Sequence, residues 1–155
     1  MKCAYWKKEK SLTREHIISD GILELFPECD LTIDNEKGKF YKADPVIKDV
    51  CGVCNNDKLT YIDSYAKNIV ENHFLNPYKK DDFINFNFDF CMIEKMLLKY
   101  SFNAMRANNE DVSLFDENII NYLLNKDNNV LNKKTTILAG LKVNTSPIPN
   151  FKKIQ

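Results

Sequence analysis

The stretch that decides the fold is Val50-Cys51-Gly52-Val53-Cys54-Asn55-Asn56. Two cysteines separated by two residues can both reach one zinc ion at Zn–S distances of about 2.3 Å, so a Cys-x-x-Cys loop is a typical half of a structural zinc site. Asn55 follows the second cysteine directly, and its amide oxygen suits a hard cation. The stretch therefore predicts a fold organised by a metal ion, with Asn55 at the start of a helix as a candidate ligand for a hard cation.

The second half of a zinc site is incomplete in this sequence. Cys3 is an upstream cysteine that can join Cys51 and Cys54, but the residue three positions later is Trp6, which cannot ligate zinc. Three alternatives are open. Cys29 or a carboxylate such as Glu9 supplies the fourth ligand, or three cysteines and a water hold Zn²⁺, or zinc is lost and Trp6 packs over the site. In the last case purified protein should carry zinc well below one equivalent.

An acidic residue and a histidine stand side by side between these cysteines, at Glu15 and His16. An imidazole in water titrates near pH 6.5, so it is available as a base at neutral pH. A carboxylate, like the Asn55 amide, suits a hard cation that stabilises charge on a phosphate. The pair falls on a predicted strand, residues 12–18, where neighbouring side chains point to opposite faces. Both can therefore face one site only if the strand ends or bends here.

The ordered set Cys3-x-x-Trp6, residues 11–18 and residues 50–56 resembles the HNH endonuclease family, in its zinc-knuckle variant of the endonuclease VII type. The resemblance covers about residues 1–75 and implies a ββα-metal (His-Me finger) core. It implies that His16 is the general base, that Glu15 and Asn55 hold a catalytic Mg²⁺ or Mn²⁺, and that the cysteines form a degenerate zinc knuckle, with Cys3, Cys51 and Cys54 as its metal ligands.

The chain also departs from the family pattern. Ser19 stands where many relatives have proline, and Glu15 is one methylene longer than the more usual aspartate. The middle asparagine of the most common HNH pattern has no clear match, and Val46 lies near its place.

The resemblance implies a metal-dependent endonuclease that hydrolyses DNA phosphodiester bonds, in phage defence or a mobile element, sometimes beside an ATPase as protein partner. The alternative is a catalytically inactive module of the same fold that binds nucleic acid or a protein. A thiol or redox protein built on the Cys-x-x-Cys loop is less well supported, because no βαβ thioredoxin pattern surrounds the loop.

Composition agrees with a globular protein without a membrane partner. The chain has 155 residues, of which 44% are hydrophobic and 28% charged, and its N-terminus lacks the apolar region of a signal peptide. We therefore expect a cytoplasmic protein. The formal net charge is zero, which is unusual for a DNA-binding enzyme. Basic residues nevertheless concentrate near the predicted site, at Lys2, Lys7, Lys8, Lys10 and Arg14.

The predicted fold class is α+β, with a ββα-metal core over residues 1–75 and a helical extension, residues 76–155, packed on it. Turn residues between 31–34 and 40–43 predict a hairpin. Apolar periodicity predicts a helix directly after Asn55, a second helix over 90–107 and a third over 114–124. The second helix should direct Ile93, Met96, Leu97, Tyr100 and Ala104 inward. Residues 135–143 are predicted to form a final strand.

Overall fold

The computed structural model describes residues 1–8, 10–27, 32–34, 39–41, 45–79, 81–131 and 135–137. Its strands and helices follow one another as β1 Leu12–His16, α1 Asp20–Leu23, β2 Thr32–Asp34, β3 Lys39–Tyr41, β4 Val46–Cys51, α2 Thr60–Ile69, α3 Phe90–Ala107 and α4 Glu117–Leu124. Two π-helical turns, Cys54–Lys58 and Val70–Phe74, flank α2. The chain is thus a mixed α+β protein, and its predicted division into two domains stays a prediction.

Strand β1 pairs with β4 in an antiparallel two-stranded sheet. Between the Thr13–Val50 pair and the Glu15–Ile47 pair, β1 advances two residues while β4 advances three. The extra residue is a bulge in β4, and a bulge bends the strand and strengthens its local twist. Strand β1 also ends at His16, two residues earlier than its predicted end. The sheet therefore has both the irregularity and the strand end that would allow Glu15 and His16 to face one site.

The predicted hairpin is present, because β2 pairs with β3 in antiparallel register from Thr32–Tyr41 to Asp34–Lys39. Helix α3 has the predicted bounds. Helix α4 begins three residues later than predicted, because the Asp116 side chain caps it by accepting from the backbone N–H groups of Asn118 and Ile119. Of the predicted final strand only residues 135–137 are described, without strand pairing; the rest lies outside the described residues.

The hydrophobic core lies between the β1–β4 sheet and the three longer helices. Its fully or nearly fully buried members come from the N-terminal arm, β4, the segment between β4 and α2, and the three helices: Cys3, Tyr5, Val50, Cys54, Leu59, Ile62, Phe102, Ile119 and Leu123. No helix among the described residues is long and apolar enough to cross a membrane.

Helix α3 buries Ile93 and packs Met96 against the core as predicted, but it also buries a polar stripe that its apolar periodicity did not predict. Leu97 is 42% exposed, whereas Lys95, Lys99 and Asn103 are at most 1% exposed. These three polar residues lie four positions apart, so they form one stripe along the helix. The stripe faces β1, α2 and the chain after α4, where hydrogen-bond acceptors and carboxylates meet it.

Candidate active site and cysteine cluster

His16, Glu15 and Asn55 line one cleft of about 320 Å³. The strand β1 supplies the first two residues, and the π-helical turn after β4 supplies the third. The antiparallel pairing of the two strands brings these segments together although about 40 residues separate them in the chain. The other lining residues are mostly polar or charged: Arg14, Ser19, Asp20, Gly21, Asn56, Asp63 and Lys99.

His16 is placed at the rim of this cleft by its backbone. Its carbonyl oxygen accepts a hydrogen bond of 3.1 Å from the buried Asn103 amide. Its side chain is 29% exposed, and the Nε2 atom lies 3.8 Å from a carboxylate oxygen of Asp20. A fixed backbone and a partly exposed imidazole leave this side chain able to exchange protons with a molecule in the cleft.

Asn55 is held against β1 by its amide nitrogen. Nδ2 donates to the Arg14 carbonyl oxygen at 2.7 Å and to the Thr13 hydroxyl at 3.1 Å. The same hydroxyl donates to the Val50 carbonyl at 2.9 Å, so the side chain is tied to both strands. Because both donors of the amide point into protein, its Oδ1 oxygen is the atom that suits a cation.

Glu15 points inward from the strand and is 2% exposed. Its Oε1 atom lies 2.8 Å from the Lys99 ammonium and accepts a hydrogen bond of 3.2 Å from the Asn103 amide. The ammonium also contacts both carboxylate oxygens of Asp63, at 2.6 and 2.7 Å. Lys99 therefore bridges two carboxylates at the base of the cleft, and its charge pairs with both.

These side chains fit a hard divalent cation in part. Mg²⁺ typically takes one or two protein carboxylates and completes its shell with water and substrate phosphate oxygens. A Glu15 carboxylate oxygen and the Asn55 Oδ1 atom meet that requirement by chemistry, and both residues line the cleft. The Lys99 ammonium competes with the ion for the same carboxylate, because both are cations.

The sulfur atoms of Cys3, Cys51 and Cys54 lie within 4.8 Å of one another, and all three residues are at most 2% exposed. Sulfurs bound tetrahedrally to zinc at about 2.3 Å lie about 3.8 Å apart. The cluster therefore needs little movement to hold a metal ion such as zinc. Among the described residues no fourth cysteine, histidine or carboxylate joins it. Cys29 and Glu9 lie outside the described residues.

The protonation of these thiols is unequal. Burial acts to raise the pKa of Cys3, but backbone N–H groups of Cys51, Trp6 and Tyr5 directed at its sulfur lower that pKa overall. Burial raises the pKa of Cys54 well above its ordinary value. Cys3 is thus nearer than Cys54 to the thiolate form that metals bind, and a metal has to displace the proton of Cys54.

The N-terminal arm makes a tight turn after Cys3, with Trp6 three residues on. The Lys7 N–H donates to the Cys3 carbonyl at 2.8 Å, and Lys7 adopts a left-handed conformation with φ of 54°. Trp6 is half-buried against the core, and the Lys8 ammonium lies 4.9 Å from the centre of its ring. The turn therefore places Cys3 in the cysteine cluster, while Trp6 supplies no metal ligand.

Sequence reasoning missed three residues of this region: Asp63, Lys99 and Asn103. The missed signal is the spacing of Lys95, Lys99 and Asn103 at four-residue intervals within an amphipathic helix. A polar stripe on a helix indicates one of two things: a face in contact with solvent, or a face that packs against buried polar groups. Apolar periodicity alone assigned this half of the chain to structural support.

Comparisons of the chain with protein-family models, with curated proteins and with solved structures each found no match. The residues of the cleft and of the cysteine cluster are therefore the basis of the functional proposal.

Proposed function

We propose that this chain is a metal-dependent HNH endonuclease that hydrolyses phosphodiester bonds of DNA, with β1, β4 and the following helix as a ββα-metal core. The observation that supports the proposal best is the common cleft of His16, Glu15 and Asn55. These are the three residues that the resemblance assigns to catalysis, and they come from segments far apart in the chain. The cysteine cluster beside them agrees with a knuckle that organises the same core.

In this mechanism His16 accepts a proton from a water molecule while the water oxygen attacks phosphorus. The P–O ester bond then breaks, and the leaving oxygen takes up a proton from solvent. The Asp20 carboxylate, 3.8 Å from Nε2, attracts the imidazolium that forms on His16. Glu15 and Asn55 would hold Mg²⁺ or Mn²⁺, which when bound stabilises the negative charge of the transition state.

Arg14 is the residue best placed to bind the DNA backbone. It is exposed, it lines the cleft beside His16, and its guanidinium can contact a phosphate through two hydrogen bonds. Action in phage defence or a mobile element, and an ATPase partner, are further expectations that follow from the family resemblance.

The first test is cleavage of supercoiled plasmid by purified protein with Mg²⁺ or Mn²⁺, and with EDTA as the metal-free control. We expect His16→Ala to lower the rate by roughly 10²–10⁴-fold, the usual contribution of a positioned proton acceptor. Asn55→Ala should weaken metal binding, so higher metal concentrations should restore part of its activity. The matched control is His73→Ala, because His73 is half-buried against Phe86 and lies outside the cleft.

Full activity of folded His16→Ala protein would refute the proposed base. Absence of cleavage by the parent protein with every metal, DNA form and partner protein tried would refute the enzyme itself.

A second candidate is a catalytically inactive HNH-fold module that binds nucleic acid or protein. It is favoured by one observation, the occupation of Glu15 Oε1 by both Lys99 and Asn103. Fluorescence anisotropy with labelled DNA separates the two functions, since this candidate predicts binding that needs no divalent metal and leaves the DNA intact.

A further inference from the structure

The base of the cleft contains one cation and two carboxylates that are drawn from three different elements. Lys99 of α3 lies 2.8 Å from Glu15 of β1 and 2.6 Å from Asp63 of α2. The side chains of Lys99 and Glu15 are at most 2% exposed, and that of Asp63 is 25% exposed. The ammonium donates hydrogen bonds to both Asp63 oxygens and forms an ion pair with Glu15 Oε1.

Removing either partner of such a buried pair leaves an uncompensated charge, which is strongly unfavourable. Glu15 and Asp63 together therefore require a cation in the free protein, and Lys99 is attached where it can always supply one. A divalent ion that binds Glu15 must share this carboxylate with the Lys99 ammonium. It must also lie close to the positive charge of that ammonium, which repels it. Both effects weaken its binding.

We propose that Lys99 is a positioning residue that fills the cation requirement of Glu15 and Asp63, so that divalent metal binds the DNA-free protein weakly. A phosphate group in the cleft adds negative charge beside both cations, and metal and DNA therefore bind cooperatively. This inference rests on the proposed function for the identity of the metal site. It assigns to α3 a direct role in setting the metal affinity of a site built from β1 and the turn after β4.

The test is Mn²⁺ binding without DNA, measured by calorimetry on the wild-type chain and on Lys99→Met, which keeps an unbranched side chain one atom shorter and removes the charge. We expect Lys99→Met to bind Mn²⁺ at least about tenfold more tightly than wild type. Combining it with Glu15→Gln should abolish the gain, since the gain depends on this carboxylate.

The matched control is Lys95→Met. Lys95 is also a fully buried lysine of α3, but its ammonium contacts the carbonyl oxygens of Asn125 and Lys126 instead of the cleft. It should leave Mn²⁺ affinity unchanged. Equal or weaker Mn²⁺ binding by Lys99→Met, or a gain of the same size in Lys95→Met, overturns the proposal.

Lys99→Met leaves two carboxylates without their cation and can fail to fold at low metal concentration. Thermal unfolding with and without millimolar Mn²⁺ covers this case, because an ion that replaces the ammonium stabilises the native state by mass action. We expect Mn²⁺ to raise the Tm of Lys99→Met by more than that of wild type, and an equal response overturns the proposal. Neither measurement uses DNA cleavage, so the role of Lys99 can be tested even if the protein does not cut DNA. If the protein cuts DNA but shows neither effect, the role of Lys99 is refuted and the proposed function is not.

Discussion

At the scale of single residues, Asn103 organises the end of β1. The side chain is fully buried, and its oxygen accepts from the Tyr5 hydroxyl at 2.9 Å and from the Arg106 guanidinium at 2.5 Å. Its nitrogen donates to Glu15 Oε1 and to the His16 carbonyl oxygen. One amide therefore satisfies polar groups from three segments and fixes the two residues predicted to carry the chemistry.

We expect Asn103→Leu, which keeps the branched shape of the side chain, to lower the free energy of unfolding by about 2–4 kcal/mol, because several buried polar groups lose their partner. Urea unfolding followed by circular dichroism measures this. Asn118→Leu is the control, since Asn118 is exposed on α4, and it should change stability by under about 0.5 kcal/mol. Equal effects of the two substitutions would show that the Asn103 bonds contribute little.

Short sequence motifs predicted three of the residues that line the cleft, because residue type and spacing in such motifs indicate chemistry directly. His16, Glu15 and Asn55 were found in this way. Lys99 and Asp63 were not, because nothing local to α2 or α3 indicates that their side chains meet Glu15. That meeting depends on the packing of helices whose relative positions are set by the whole core.

At the scale of elements, the bulge in β4 connects the sheet to the rest of the molecule. Opposite Arg14, β4 carries one residue more than β1, and Asp49 belongs to this region. The Asp49 carbonyl oxygen accepts from the Ala4 N–H at 2.8 Å, and its carboxylate lies 2.6 Å from the Arg106 guanidinium. The irregular part of the strand is thus joined to both the N-terminal arm and α3.

We expect Asp49→Ala to lower the free energy of unfolding by about 1–2 kcal/mol. The loss is above that of a surface pair because Arg106 is 8% exposed, and below that of a fully buried pair because Asp49 is 36% exposed. Thermal unfolding checks this against Asp81→Ala, which changes an exposed carboxylate and should be nearly neutral. Loss of stability that disappears in high salt would show that the contact is screened like a surface pair.

The bounds of an element could be predicted where the hydrophobic periodicity extends over many residues. Features that depend on packing partners elsewhere in the chain could not. The bounds of α3 follow from eighteen residues of helical pattern and a capping aspartate at position 89. The polar stripe that α3 buries beside Ile93 could not be predicted, because buried lysines require partners that the apolar pattern does not contain. The β4 bulge leaves no local signature, so the orientation of Glu15 relative to His16 could be stated only as a condition.

At the scale of the whole molecule, the cysteine cluster joins the N-terminal arm to the end of β4. A metal ion held there links residues 48 positions apart, and the binding free energy of a structural metal adds to folding free energy. We expect Co²⁺, as a zinc substitute, to give thiolate charge-transfer absorption. The absorption should reach its plateau at one Co²⁺ ion per protein chain. Cys3→Ser should lower both the absorption and the Co²⁺-dependent rise in Tm.

Cys91→Ser is the control, because this thiol donates to the Asn129 carbonyl and lies outside the cluster. Co²⁺ binding should also weaken as pH falls, since the metal must displace the proton of Cys54, whose pKa is raised by burial. An unchanged spectrum in Cys3→Ser, or affinity independent of pH, would contradict a thiolate site.

The contact between Asn103 and Glu15 spans 88 positions of the chain, and this has a consequence for the order of events during synthesis. Residues 1–75 leave the ribosome well before α3, and long-range contacts cannot form until both partners exist. A nascent chain that ends before α3 carries Glu15 and Asp63 without Lys99 and Asn103. Under the proposed function, a nuclease assembled in this way completes its cleft only once α3 has left the ribosome, so the preceding part of the nascent chain does not yet cut the nucleic acids around it.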